Sequence, residues 1–376
     1  MEIICKKELL TEGVQKVEKI ISTRTTLPII GNVLFEASLN ILKMSANNLE
    51  IGIEVNIAAK VIKEGSVLIP AKTLAGIVYK LPNTDICIKT SDKGIVSISY
   101  GSSSFNIHGL APDEFPLLPK VKDAKKLIIN NKIFNELIKS TIFAVSSSED
   151  KYILNGVLLE VGKIEGPSNI RMISTDGYRL AKRGVKLPSV PAAASSLIVP
   201  SKALAEVSRI IGESDGDVEI NIGTEQISFK YNNCFIVSRI IQGQFPNYKQ
   251  VIPKSSTIKL TIKTKEFLES SERASVIATT SANIVRLDVR GAKMHIIANT
   301  PEVGSVDEVV DIIAGGVEKI QIAFNVKLIT DVLKVLDSDK VILELSSPLN
   351  PGIIRPADDL DYIYIIMPIR TSDVGA

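Results

Sequence analysis

Tryptophan is absent from this 376-residue chain, histidine occurs only twice, and aromatic residues make up 5% of it. Its cores must therefore be filled by Ile, Leu and Val rather than by large rings. His108 and His295 sit in separate strand-like runs, and each reads as a core or surface side chain rather than a metal ligand. Cysteine is scarce too. Cys5, Cys87 and Cys234 form no CxxC pair and are odd in number, which excludes a disulfide framework and points to a reduced, cytoplasmic compartment. No apolar run reaches the ~18 residues of a membrane span, and the opening MEIICKKELL places charges where a secretory signal needs apolar side chains. No membrane partner is expected. GxSxG, HExxH, P-loop and GxGxxG signatures are missing. The acidic stretch PADDLD, Pro356 to Asp361, reads as a solvated turn in preference to a cation site. Neither metal, cofactor nor enzymatic activity is expected. The net charge of +2 excludes a strongly basic chain, so any surface for nucleic acid must arise by segregation of charge.

What is present is ordinary in bulk and unusual in pattern. With 45% hydrophobic and 23% charged residues, the chain has the composition of a globular protein long enough for two or three domains. The phrase VLIPAKTLAGIVYKLPN, from Val67, returns as LIVPSKALAEVSRIIGE, from Leu197, so that Pro70 and Pro200, Lys72 and Lys202, and Leu74 and Leu204 share one spacing. Glu114-Phe115-Pro116 recurs at the same interval as Gln244-Phe245-Pro246. GNVLFE, Gly31 to Glu36, is echoed by NGVLLE, Asn155 to Glu160, and more faintly by NIVRLDV, Asn283 to Val289. A third version of the opening phrase, IAFNVKLITDVLKVL, places Lys327, Leu333 and Leu336 at corresponding positions. Self-similarity at so long a period means one domain built three times.

Each unit reads in the same order. An amphipathic helix comes first, with Leu10, Val14, Val17 and Ile21 on its apolar face in unit one and Phe134, Leu137, Ile138 and Thr141 in unit two. Strand-like runs follow, then a second short helix after the Pro-x-Lys signal, then more strands ending at the Phe-Pro element. Proline-bearing connectors place the boundaries near Lys122 and Lys254, giving domains 1–122, 123–254 and 255–376. Two helices and two sets of antiparallel strands per unit make an α+β domain. The first four helix spans are each slightly basic and the last two neutral, leaving the remainder slightly acidic. This suggests an anion-facing helical surface, though ordinary solvated helix faces read equally well from charge alone.

TLPIIGN (Thr26 to Asn32), YILNGVLLE (Tyr152 to Glu160), STDGYRLA (Ser174 to Ala181), FPNY (Phe245 to Tyr248) and YIIMPIR (Tyr364 to Arg370) together resemble the bacterial DNA sliding clamps, the beta subunits of the DNA polymerase III holoenzyme. The likeness runs end to end, in order, through all three units. It implies a non-enzymatic clamp that encircles duplex DNA without reading sequence and confers processivity on the replicative polymerase. It also implies a head-to-tail homodimer, a ring of six similar domains with helices lining the hole and antiparallel sheets outside. A size comparison favours two chains independently. Helices pack roughly 8–10 Å apart, so a circle of six, each ~10 Å thick, leaves a hole of only ~5–9 Å. A circle of twelve leaves ~20–28 Å, enough for a duplex roughly 20 Å across with its phosphates toward the wall.

The same resemblance assigns sites. Contacts to DNA are expected from Arg24, the helix-start lysines Lys72 and Lys202, Arg209, and the loop residues Lys151 and Tyr152, all phosphate-directed because a ring that slides cannot hold base edges. A second site follows from asymmetry. Aligning Ser174–Leu180 with Ser45–Ile51 sets Arg179 against Glu50 and Gly177 against Asn48, a difference that the shared fold does not need. By resemblance this segment, with Leu154, Thr175, Tyr178 and Leu180, joins Pro246 and Val251 of the Phe-Pro loop. Ile365, Met367, Pro368 and Arg370 of the last strand complete an apolar groove for short linear peptides. Its partners would be the clamp loader, the polymerase III alpha subunit, other polymerases and repair proteins. Tyr178 stands where relatives commonly have His, and Gln250 where Arg occurs, so the preferred peptide differs even if the pocket persists. The seams are expected to add strand to strand between unit one of one chain and unit three of the other, with Phe105 and Ile107 against Val276 and Ile277. A repeat-built peptide scaffold that encircles nothing, and an enzyme with its site between units, are the competing readings.

Overall fold

A computed structural model describes residues 1–21, 27–119, 121–191, 194–212, 215–279, 282–315 and 317–370. Six α-helices occur among these residues: α1 (Lys7–Glu18), α2 (Ala71–Val78), α3 (Asn131–Ile142), α4 (Ser201–Ile211), α5 (Thr264–Ala278) and α6 (Val326–Leu333). Their apolar spacing sets which face is covered. α1 buries Leu10, Gly13, Val14 and Val17, spaced i, i+3, i+4, i+7, and α4 buries Ala203, Leu204, Val207 and Ile211, spaced i, i+1, i+4, i+8, each a single helical stripe. Phe134, Leu137, Ile138 and Thr141 of α3 are buried as the periodicity requires. α1 stops earlier than its apolar pattern, so Ile21 falls beyond it and Lys19 caps the helix. Pro70 immediately precedes α2, where a missing N–H costs nothing, whereas the Asn325 side chain caps α6 by accepting from the Lys327 amide.

Each repeat begins with a strand that periodicity alone does not reveal: Glu2–Lys6, Lys125–Asn130 and Ile258–Lys263. In KKLIIN only Leu127 and Ile129 turn inward while Ile128 faces out, a two-residue alternation too brief to stand apart from the helix that follows.

By compactness the chain divides into two units, Met1–Phe134 with Lys202–Ile240, and Asn135–Ser201 with Ile241–Ala376. The first holds two antiparallel sheets. One has five strands in the order Lys60–Lys63, Glu2–Lys6, Asp85–Thr90, Ile95–Tyr100 and Ser103–His108. The other has eight, in the order Lys125–Asn130, Asp217–Ile222, Gln226–Tyr231, Cys234–Arg239, Ile51–Ala58, Ile41–Asn47, Asn32–Ser38 and Gly65–Pro70. At its centre a strand of the second repeat pairs directly with one of the first, Cys234 opposite Val55 and Ser238 opposite Ile51. The second unit has one twelve-stranded sheet system, in which Arg179–Val185 of the second repeat pairs with Tyr362–Ile366 of the third. Its main core gathers Phe267, Phe324, Tyr362 and Tyr364 with aliphatic side chains from α5, α6 and the strands around them.

Burial decides the chemistry of the cysteines. Cys5 and Cys234 are almost wholly covered, and desolvation pushes both thiols up to about 12. Cys87 is half-buried. A thiol reagent applied near about pH 8 should therefore modify Cys87 first, with Cys5 and Cys234 reacting only after unfolding in denaturant. Equal rates for all three in the native protein would contradict this core.

Candidate functional site

The turn between the strands Ile170–Thr175 and Arg179–Val185 is written by its own side chains. The Asp176 carboxylate accepts the amides of Tyr178 at 2.8 Å and Arg179 at 3.0 Å, while Thr175 Oγ1 accepts the Gly177 amide at 3.1 Å and donates to the Arg179 carbonyl at 2.6 Å. Gly177 takes φ +96°, where glycine carries no side-chain penalty. The first repeat builds the same turn with different residues. Asn47 Oδ1 accepts the Leu49 amide, Asn48 Oδ1 accepts those of Glu50 and Ile51, and Leu49 holds the positive φ of 73°. This corrects the internal alignment by one residue. Gly177 corresponds to Leu49, and Arg179 corresponds to the buried Ile51 rather than to Glu50.

An arginine at an apolar position needs partners, and Arg179 has them. Its Nε lies 3.0 Å from Asp176, one Nη 2.6 Å from Asp331 and the other 2.7 Å from the Phe143 carbonyl, with the guanidinium over the Phe143 ring. Burial acts to lower its pKa, but Tyr364 and the Asp331 and Asp176 carboxylates outweigh burial and raise it above the ordinary value. The group is a fixed cation that walls one side of the site.

Against this turn lies the last strand. Arg179 pairs with Ile366 and Leu180 with Ile365, and the Met367 amide donates to the Tyr178 carbonyl at 2.9 Å. The Phe-Pro loop closes the third side through the short 3-10 turn Tyr248–Gln250. Leu158, Ile173, Leu180, Ile198, Tyr248 and Ile365 form a small apolar cluster beneath it. The Tyr248 hydroxyl donates to Glu160 at 3.0 Å and accepts from Arg171 at 3.2 Å, which fixes the ring in the floor. The result is a cavity of about 160 Å³, lined mainly by apolar atoms.

Leu154, Thr175, Gly177, Arg179, Leu180, Pro246, Val251, Ile365 and Met367 all line this cavity. Tyr178 does not. It is 65% exposed at the rim, with Lys151 Nζ 5.4 Å from its ring centroid. Pro368 and Arg370 follow the strand outside the lining. Asn247 and Tyr248 line the cavity and were missed, although the motif FPNY spelled both out.

Residues assigned to DNA contact divide differently. Arg24 lies outside the described residues. Lys72 and Lys202 are exposed on the first turns of α2 and α4. Arg209 is largely committed, at 2.7 Å from Glu206 and donating to the carbonyls of Lys16 at 3.1 Å and Gln15 at 3.4 Å. Lys151 donates to the Asp176 carbonyl at 3.2 Å, at the rim of the apolar cavity, and the Tyr152 hydroxyl donates to the Gln242 carbonyl at 2.7 Å.

Of the seam residues, Phe105 and Ile107 lie on Ser103–His108, the outermost strand of the five-stranded sheet, and Phe105 is 40% exposed. Val276, 72% exposed, and Ile277 lie on the helix α5 and cannot themselves supply an added strand. The strand Gly304–Ala314 can. One edge pairs with Lys293–Thr300 from Gly304 to Asp311, but the other meets Ile258–Lys263 only at Ile312 and Ala314, leaving an open edge among the described residues.

Both histidines behave as ordinary side chains. His108 is exposed, and His295 Nδ1 lies 2.8 Å from Asp307. In PADDLD, Asp359 pairs with Arg183. Among the described residues no cluster of His, Cys, Asp and Glu is arranged to hold a metal, and no helix is long and apolar enough to cross a membrane.

Comparison with known proteins places three family descriptions along the chain: the N-terminal, central and C-terminal domains of the DNA polymerase III beta subunit match residues 1–119, 128–247 and 249–370. The beta sliding clamp of Staphylococcus aureus is 33% identical over 382 residues, covering 99% of this chain and 100% of the relative. The crystal structure of the DNA polymerase sliding clamp from Bacillus subtilis superposes with a TM-score of 0.93 at 32% identity and 99% coverage of each chain. That of the Streptococcus pyogenes DNA polymerase beta subunit gives 0.93 at 25% identity, covering 99% of this chain and 100% of the other.

Replacing Tyr248 by Phe removes the hydroxyl that bridges Glu160 and Arg171 and leaves buried polar groups short of a partner. The cost should be about 1–3 kcal/mol, seen as a lower thermal unfolding midpoint. An unchanged midpoint would show that the floor does not depend on this bridge.

Proposed function

The chain belongs to the DNA polymerase III beta-subunit family, the sliding clamps, and from that membership we propose that it encircles duplex DNA as a head-to-tail homodimeric ring and tethers the replicative polymerase to its template. Members of this family are non-catalytic processivity factors, so the work is topological: a closed ring is retained on DNA without gripping a sequence. In this reading the three repeats are domains meeting near Lys122 and Lys254; the family matches ending at 119 and resuming at 128 support the first, and those ending at 247 and resuming at 249 lie a few residues before the second. The protein acts in the cytoplasm, in keeping with its three free cysteines.

The observation that carries partner recruitment is the apolar cavity between the 175–180 turn, the Phe-Pro loop and the last strand. An aliphatic floor with a flexible methionine suits Leu or Phe anchors of a linear peptide, and such anchors supply most of the energy of peptide docking. The polymerase alpha subunit, the clamp loader, other polymerases and repair proteins are the proposed occupants. What supports the seam is the pair of open edges among the described residues, Ser103–His108, which carries Phe105 and Ile107, and Gly304–Ala314, with Val276 and Ile277 on the neighbouring helix α5.

Loaded on nicked circular DNA and then freed by linearising the circle, the protein should be lost from the ends. Retention on linear DNA would rule out the ring. Ile277→Asp should convert the dimer to monomers by light scattering, whereas Met367→Asp should preserve the dimer and abolish capture of a Leu-Phe-bearing peptide. Intact binding by the Met367 variant would remove the cavity from the docking site.

A further inference from the structure

Exposed cations on the helices are treated differently in the successive repeats. Lys19 just after α1, Lys72 on α2, Lys139 on α3 and Lys202 on α4 are all exposed, and none has a carboxylate partner among the described residues. The first two repeats also hold paired helix cations, Lys16 2.6 Å from Glu12 and Lys132 2.6 Å from Asp215, but in the third repeat pairing prevails. Lys263 lies 2.7 Å from Glu266, Lys265 3.8 Å from Glu269, Arg273 2.7 Å from Glu308 and Lys334 3.0 Å from Glu272. α5 itself carries three glutamates, Glu266, Glu269 and Glu272, against Lys265 and Arg273. On α6, Asp331 is taken by Arg179, and Lys327 is exposed with no carboxylate partner among the described residues.

These exposed pairs add little to stability. Their effect is on the field. A glutamate within a few ångströms of each lysine cancels its attraction for a phosphate well inside the screening length of about 8–10 Å. Only uncompensated cations release counterions when a duplex approaches, and each engaged phosphate is a contact that must break and re-form as a ring moves. Arg209 also drops out, because its guanidinium is held by Glu206 and by two carbonyls of α1.

We infer that phosphate contact is concentrated on the helices of the first two repeats, through Lys19, Lys72, Lys139 and Lys202, and that the helices of the third repeat, where only Lys327 lacks a carboxylate among the described cations, present a largely charge-compensated face along which DNA passes with little hold. The inference rests on the sliding-clamp reading. It divides the ring wall into gripping and slipping sectors, with Glu269 and Glu272 as the residues that keep the third repeat slippery.

Binding of the intact dimer to a short mixed-sequence duplex, followed across a salt series, tests it. Combining Lys72→Ala, Lys139→Ala and Lys202→Ala should reduce the log–log salt slope by about 0.9 for each phosphate contact removed. Combining Lys265→Ala and Lys334→Ala should leave the slope unchanged. Glu269→Gln with Glu272→Gln should steepen it and slow diffusion of the loaded ring along DNA. A slope lowered equally by the third-repeat lysine variants, or unmoved by the two glutamine substitutions, would overturn the inference while the ring stands. Retention of the wild-type protein after a circle is linearised would bring down the ring reading and the inference together.

Discussion

Main-chain pairing between strands of successive repeats is the interaction on which the rest depends. Within the first unit, Cys234–Arg239 continues the ladder of Ile51–Ala58, extended at its ends by the Asn56 amide to the Asn233 carbonyl and the Arg239 amide to the Glu50 carbonyl. Within the second, Arg179–Val185 continues into Tyr362–Ile366. Such ladders use peptide groups that every residue carries, so they join repeats without constraining side chains. Three copies of one fold were therefore free to diverge on every surface the ladder leaves open.

That freedom is visible in the turn shared by the first two repeats. Both copies use side-chain oxygens to hold the same sharp reversal, but the first closes over Ile51 and the second carries Arg179 at that position. The Phe-Pro element diverges in step. Phe115 packs into Leu34 and Leu68, whereas the second copy leaves an open cavity beside Pro246. One fold thus holds a filled corner and a corner with an open cavity, distinguished by a handful of side chains.

The sequence showed most of this where chemistry is local. Helical stripes, Pro-x-Lys starts and the repeated phrases lie within single windows of the chain, and the groove residues could be carried over because their motifs are intact. What stayed hidden depends on partners far away in sequence. Nothing near Arg209 announces that the carbonyls of Gln15 and Lys16 will occupy it, and nothing near Tyr248 announces Glu160 and Arg171. The placement of Val276 and Ile277 was obscured for a different reason. α5 runs on to Ala278, and its covered face, Thr264, Ser270, Ser271 and Ala274 alongside Phe267, is too small and polar for hydrophobicity to mark where the helix ends. The one-residue slip in the alignment of the turn arose because Leu49 adopts a conformation in which glycine would be expected.

The cavity draws its walls from Leu154 at one extreme and Met367 at the other, with the Met367 amide latched to the Tyr178 carbonyl. No shorter stretch of chain can form it. During synthesis this corner lacks a wall until the last strand has emerged. A chain clipped before Met367 therefore keeps most of its fold but loses this cavity, which makes the last strand a wall of the site as well as a structural edge.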